Sequence, residues 1–203
     1  MTAALVVLGG YLLGSMPFGY WVVLLFKGED IRTVGSGNIG ASNVWRTYGK
    51  SYWIPIVVLD VAKGFVPAFA GTILVSPLVG VLAGGAAMLG HWRPLFLRFQ
   101  KGGKTVATAG GTFFGVAPLV GAVGLVIWIV VFLLSRYASL ASMVTGLALP
   151  FVALALGEPW PVIVFASIAC VAVLVLHKAN IARLRAGTES RFHFRRGPKP
   201  AAP

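Results

Sequence analysis

Acid is the scarcest chemistry in this chain. Five Asp and Glu residues stand against 17 Lys and Arg in 203 residues, and charge of both signs makes up only 11% of the sequence, where soluble domains carry roughly 25%. That shortage excludes an ordinary soluble domain. It also excludes a metal-dependent phosphotransfer site built on clustered aspartates, because Asp30 and Asp60 are the only aspartates and lie far apart. Cysteine is reduced to Cys170, inside an apolar run, which rules out an internal disulfide and a cysteine-rich zinc site. No metal and no other cofactor is expected. What remains is 58% hydrophobic residues and a mean hydropathy of +0.87, the composition of an all-α integral membrane protein.

The basic residues are strongly localised. Apart from Lys63, every one of the 17 falls in the stretches 27–50 and 93–104, at Arg136, or in 178–199. The connections Val75-Ser76-Pro77, Ala117-Pro118 and Gly157-Glu158-Pro159-Trp160-Pro161 carry no positive charge. Cytoplasmic loops are enriched in Lys and Arg, so the first set is expected inside and the second outside. Apolar segments at 5–26, 52–74, 78–97, 105–116, 119–134, 138–156 and Trp160–Leu176 then give a seven-transmembrane-helix bundle with short helices and glycine-rich cytoplasmic loops. The N-terminus is expected outside and the C-terminus in the cytoplasm, with residues 1–203 forming a single domain. No basic residue precedes the first apolar segment, which therefore reads as a retained span and not as a secretory signal. The net charge of +12 fits the inside bias and an attraction to anionic lipid or phosphorylated ligands, and no nucleic-acid partner is expected.

Residues 105–134 as one helix would be about 45 Å long, too much for a core of ~30 Å. A break at Ala117-Pro118 solves this and keeps Arg136 on the same side as Lys101 and Lys104. The first half is then so short that its start must be buried in protein. Gly80 with Gly84, and Gly111 with Gly115, supply small residues for close helix approach. Asp60 and Lys63, three apart inside the second span, are expected to pair, since an isolated charge there costs ~2.5–3.5 kcal/mol.

Three polar segments carry the chemistry. The first reads Gly35-Ser36-Gly37-Asn38-Ile39-Gly40-Ala41-Ser42-Asn43-Val44-Trp45-Arg46. Glycines such as Gly35, Gly37 and Gly40 let backbone N–H groups turn toward one point, Ser36, Asn38 and Asn43 add neutral donors, and Arg46 adds a planar cation. This is the pattern of a phosphate or oxyanion cradle, to be weighed against a flexible Gly/Ser linker. The second contains Gln100-Lys101-Gly102-Gly103-Lys104-Thr105, whose end copies a nucleotide P-loop; Arg98 occupies the required earlier glycine position and no strand precedes it, so that reading fails. Lys101, Gly102, Gly103 and Lys104 at a helix entry still suit an anion, unless the lysines serve only as topology anchors. The third follows the last span, with His177 and Asn180 on one helix face and Glu189 beyond. Ser139 and Ser142 read as helix-packing serines.

Together these segments resemble the bacterial acyl-phosphate:glycerol-3-phosphate acyltransferase family, from Gly14-Ser15-Met16-Pro17-Phe18-Gly19 to Gly187-Thr188-Glu189. The chain departs from the family pattern at Gln100, an extra residue, at Thr105, where a glycine is usual, and at Ser42, commonly threonine. The resemblance implies a seven-helix fold in the bacterial plasma membrane. It implies transfer of an acyl group from acyl phosphate to the sn-1 hydroxyl of glycerol 3-phosphate, giving lysophosphatidic acid. On that basis Ser36, Asn38, Asn43, Lys104 and His177 are the catalytic candidates. Ser36, Gly37, Gly40, Arg46, Lys101, Gly102, Gly103, Lys104, Ser142, His177, Asn180 and Glu189 are the candidates for binding substrate. The position five residues after His91 is Phe96, which excludes the His/Asp dyad of other glycerolipid acyltransferases. An organic-anion transporter stays open as the alternative function, although no internal repeat is evident.

Overall fold

A computed structural model describes residues 1–192. Within them the chain is all helical: α1 (Thr2–Gly14), α2 (Phe18–Lys27), α3 (Ala41–Tyr48), α4 (Lys50–Leu74), α5 (Pro77–Trp92), α6 (Val106–Val116), α7 (Pro118–Ser135), α8 (Ala138–Ala155), α9 (Trp160–Leu176) and α10 (Lys178–Arg185). Proline sets several boundaries. Pro77, Pro118 and Pro161 stand in the first turns of α5, α7 and α9, where a missing N–H costs nothing. Ser76 caps α5 by accepting from the Val79 N–H.

The first apolar segment, expected as a span over 5–26, is a candidate span over Thr2–Lys27 whose helix is interrupted between Gly14 and Phe18, because Pro17 disfavours helical geometry at Met16 and cannot continue the backbone ladder. One expectation is corrected. The third segment, expected over 78–97, ends at Trp92. Pro94 follows, and Leu95–Leu97 form only a 3₁₀ turn. The expected break at Ala117-Pro118 is present, and it leaves α6 with 11 residues. Among the described residues, four segments are long and apolar enough to cross a membrane, or five with α9 and α10 as one bent span; α5 and α6 fall short by length.

The short helix is buried by neighbours, as its length requires. α6 packs on α4 and α5 so closely that a Cβ at Gly111 would stand 2.0 Å from the Val61 carbonyl oxygen, and one at Gly84 would stand 2.1 Å from Thr112 Cγ2. α7, α8 and α9 complete the bundle around a core of Phe113, Val120, Leu149, Val162 and Phe165. Outward-facing side chains are apolar too, with Leu134 80% and Leu25 78% exposed. A soluble protein would not present that surface; lipid would receive it.

Candidate active site

The first loop is pinned at its apolar residues. Ile31 and Ile39 are fully buried with Val23, Val44, Ile56 and Leu97, each such side chain contributing ~1.5–3 kcal/mol. Asn43 then shapes the loop from within. Its Oδ1 accepts the Ser36 N–H at 2.9 Å, and its Nδ2 donates to the carbonyls of Val34 and Asn38, both at 3.0 Å. Gly35 and Gly37 take φ of 62° and 67°, the left-handed turn that lets the loop close over that amide. Arg32 joins this loop to the second one: its guanidinium holds the Asp30 carboxylate at 2.6 Å and donates to Gln100 Oε1 at 2.7 Å. The extra residue Gln100 thus bridges two segments.

The third segment delivers a network. His177, Asn180 and Glu189 are 3%, 3% and 7% exposed, so their polar atoms need partners within the protein. Lys104 Nζ donates to Asn180 Oδ1 at 2.5 Å, and Asn180 Nδ2 donates to Glu189 Oε1 at 2.6 Å. Ser139 Oγ and Arg183 Nε also donate to Glu189, each at 2.6 Å. His177 Nδ1 lies 2.8 Å from the Val173 carbonyl; a carbonyl only accepts, so Nδ1 carries the proton and Nε2 is the acceptor of the neutral ring. Burial pushes the Lys104 ammonium down to about 8; the Glu189 charge opposes the shift, and Arg183, Arg46 and Lys101 add to it. Burial raises the Glu189 carboxyl, but the hydrogen bonds from Ser139, Asn180 and Arg183 outweigh it, and the net direction is down. Burial also lowers Arg46, with Glu189 offsetting part of the effect. A guanidinium with so high an ordinary value remains charged.

These groups line one end of a cavity of about 450 Å³; Asp60 and His91 also reach it, and its remaining walls are mainly apolar, Val57, Phe113, Leu125, Leu149, Ala166 and Val173 among them. A cationic, hydrogen-bonding mouth therefore opens onto a hydrocarbon-like hollow between α4, α6, α7, α8 and α9. A phosphorylated amphiphile has that chemistry.

The family model for glycerol-3-phosphate acyltransferase matches residues 4–187. The chain belongs to this family. A glycerol-3-phosphate acyltransferase of Desulforudis audaxviator (strain MP104C) is 42% identical over 195 residues, covering 96% of this chain and 98% of the relative. One of Roseiflexus sp. (strain RS-1) is 47% identical, covering 92% and 93%. Among solved structures, the glycerol 3-phosphate form of PlsY (YgiH), an integral membrane glycerol 3-phosphate acyltransferase, superposes with a TM-score of 0.91 at 40% identity, covering 95% of this chain and 96% of that one. Its lysophosphatidic acid form gives 0.88 at 37% identity. The acyltransferase is accordingly an all-helical, multi-pass integral membrane protein.

Of the residues singled out in the sequence, Ser36, Asn38, Gly40, Asn43, Arg46, Lys104, Ser142, His177, Asn180 and Glu189 line the cavity of this acyltransferase. Gly37, Lys101, Gly102 and Gly103 do not. The N–H groups of Gly102 and Gly103, two residues expected to bind substrate, donate to the carbonyls of Trp92 and His91, both at 2.9 Å. The Asn43 amide is spent on the loop. Ser142 Oγ donates to the Ala138 carbonyl at 2.7 Å and accepts from Trp128 Nε1 at 3.1 Å, which is the packing role its position suggested.

Ser139, Thr105, Asp60 and His91, which line the cavity, and Arg183, which holds Glu189, were missed as site residues. Arg183 reaches Glu189 across a turn closed by Gly187 at φ 69°, and no fixed spacing announces such a contact. Thr105 lines the cavity at φ 63°, a left-handed conformation that costs a β-branched residue ~1–2 kcal/mol.

Proposed function

We propose that this acyltransferase moves a fatty acyl group from acyl phosphate to the sn-1 hydroxyl of glycerol 3-phosphate, releasing lysophosphatidic acid and inorganic phosphate. One observation carries the reading: a single cavity joins a cluster of buried cations and amides to an apolar hollow within the helix bundle. An acyl chain gains ~0.8 kcal/mol per buried CH₂, whereas the acceptor is a soluble dianion, so both meet only at such a boundary. All seven apolar segments then cross the plasma membrane as one domain over residues 1–203. The N-terminus lies outside, and the three polar segments and the C-terminus lie in the cytoplasm, in keeping with the charge distribution.

In this mechanism the acceptor hydroxyl oxygen attacks the acyl carbonyl carbon, the new ester C–O bond forms, and the C–O bond to phosphate breaks with its electron pair leaving on phosphate. The hydroxyl proton passes to His177 Nε2 or to a phosphate oxygen. Arg46 offers a planar fork to two phosphate oxygens, while Lys104 acts as a point charge beside them. The Ser36 hydroxyl and Asn38 Nδ2 are the donors for the developing oxyanion, since the Asn43 amide is committed. Mixed anhydrides have a good leaving group, so positioning and charge supply most of the rate.

Purified protein given glycerol 3-phosphate should form lysophosphatidic acid with acyl phosphate and not with acyl-CoA. Product from acyl-CoA alone would overturn the donor. Absence of any new lipid would favour the transporter.

Lys104 also fixes a pH dependence. With its ammonium held near 8, the cation is present below that pH and lost as pH rises through it. The kcat/KM for glycerol 3-phosphate reports the free enzyme, so it should fall about tenfold per pH unit above ~8.5. Lys104→Arg cannot lose its proton in this range and should lack that alkaline limb. A profile flat to pH 10 in the unsubstituted enzyme would remove Lys104 from the phosphate.

A further inference from the structure

Behind the second loop lies a buried cluster of Asp60, Lys63 and His91 that the chemistry above does not use, although Asp60 and His91 reach the wall of the same cavity. Lys63 Nζ stands 2.7 Å from Asp60 Oδ1, 2.6 Å from His91 Nδ1 and 3.1 Å from the Met16 carbonyl oxygen. Two of its protons have hydrogen-bond acceptors, His91 Nδ1 and the Met16 carbonyl, and the Asp60 carboxylate stands beside it as the counter-charge. His91 Nδ1 therefore accepts, and the ring is neutral with its proton on Nε2. The Met16 carbonyl belongs to the break between α1 and α2, so one ammonium ties that break to α4 and to the end of α5. Lys63 is 1% exposed, Asp60 2% and His91 4%.

The ring of His91 is also the floor of the loop that ends in Lys104. A Cβ placed on Gly103 would lie 1.9 Å from His91 Nε2, and one on Gly102 would lie 2.1 Å from the His91 carbonyl oxygen. The Gly103 N–H closes the contact by donating to that same carbonyl. Gly103 does not have a positive φ, so its backbone would accept alanine. The three atoms that such a side chain would meet first all belong to the imidazole. The pair of glycines thus meets a steric demand from His91, which explains why their N–H groups are turned away from the cavity.

We infer that the Asp60–Lys63–His91 cluster is a positioning device for Lys104: it fixes the His91 ring, the ring seats Gly103, and the seat sets where the next residue's ammonium stands. These are positioning residues, acting through Lys104. The inference rests on the acyltransferase reading, and its failure is separable from failure of that reading, because unsubstituted protein that makes no lysophosphatidic acid refutes the activity alone.

A double-mutant cycle on the full chain tests it, read as KM for glycerol 3-phosphate at saturating acyl phosphate. Gly103→Ala should raise KM by about tenfold or more with kcat changed by less than about threefold, because the loop is lifted and the chemistry is not. His91→Ala should raise KM less, and adding it to Gly103→Ala should return KM to within about threefold of His91→Ala alone, since the methyl group then has space. His91→Gln, which keeps an acceptor for Lys63, should come closer to wild-type KM than His91→Ala does. If Gly103→Ala does not accumulate, the two His91 variants decide. A double variant worse than either single, or His91→Ala with unchanged KM, overturns the proposal.

Discussion

Lys104→Ala is expected to reduce kcat/KM for glycerol 3-phosphate at least about a hundredfold, a loss of ~2.7 kcal/mol or more of transition-state stabilisation. Two costs add. The bound phosphate loses a charge-assisted donor in a partly desolvated cavity, where such a bond is about twice as strong as a neutral one. Asn180 Oδ1 also loses the ammonium that it accepts from at 2.5 Å, and Asn180 is 97% buried by its 3% exposure. An unsatisfied acceptor there costs about 1–3 kcal/mol and releases the amide that holds Glu189. Because the second cost falls on the folded site, the variant should also bind glycerol 3-phosphate poorly in a direct equilibrium measurement. Lys104→Arg should retain most of the charge contribution and part of the activity. Turnover close to wild type in Lys104→Ala would reduce the second loop to a topology anchor and displace the site proposed here.

The features legible in the sequence were those with a local physical cause. Pro118 after Ala117 announced its helix break, because that effect acts through neighbouring residues. Asp60 and Lys63 were legible as a pair from their spacing alone, and they stand 2.7 Å apart. Contacts between distant segments left no such mark. Nothing near His91 revealed that its ring would meet Lys63 on one side and Gly103 on the other, since α5 reaches both only through packing on α4. The glycine pair was read as part of an anion site at a helix entry, and its missing side chains are what the neighbouring ring requires. Asn43 shows the same ambiguity. An amide in a glycine-rich loop serves equally to contact a ligand or to shape the loop, and only three hydrogen bonds in space assign it to the latter.

Neutralising one member of the buried cluster should cost far more stability than removing the pair. Asp60→Asn leaves the Lys63 cation without a counter-charge, and Lys63→Met leaves the Asp60 carboxylate without one; breaking a buried pair in this way costs about 3–5 kcal/mol. The double variant Asp60→Asn/Lys63→Met buries no charge, so it should recover most of that loss in thermal unfolding of the detergent-solubilised protein. Exchanging the two identities should give an intermediate result. It restores neutrality, but an ammonium at position 60 stands one helical turn from the place where Lys63 meets both the Met16 carbonyl and His91 Nδ1. Stability and KM should then part company. The double variant, folded but without an ammonium to hold His91, should keep a raised KM for glycerol 3-phosphate, whereas a cluster that served stability alone would return both to wild type together. Equal stability across all four variants, with activity lost in each, would instead move Asp60 and Lys63 into contact with the reacting groups.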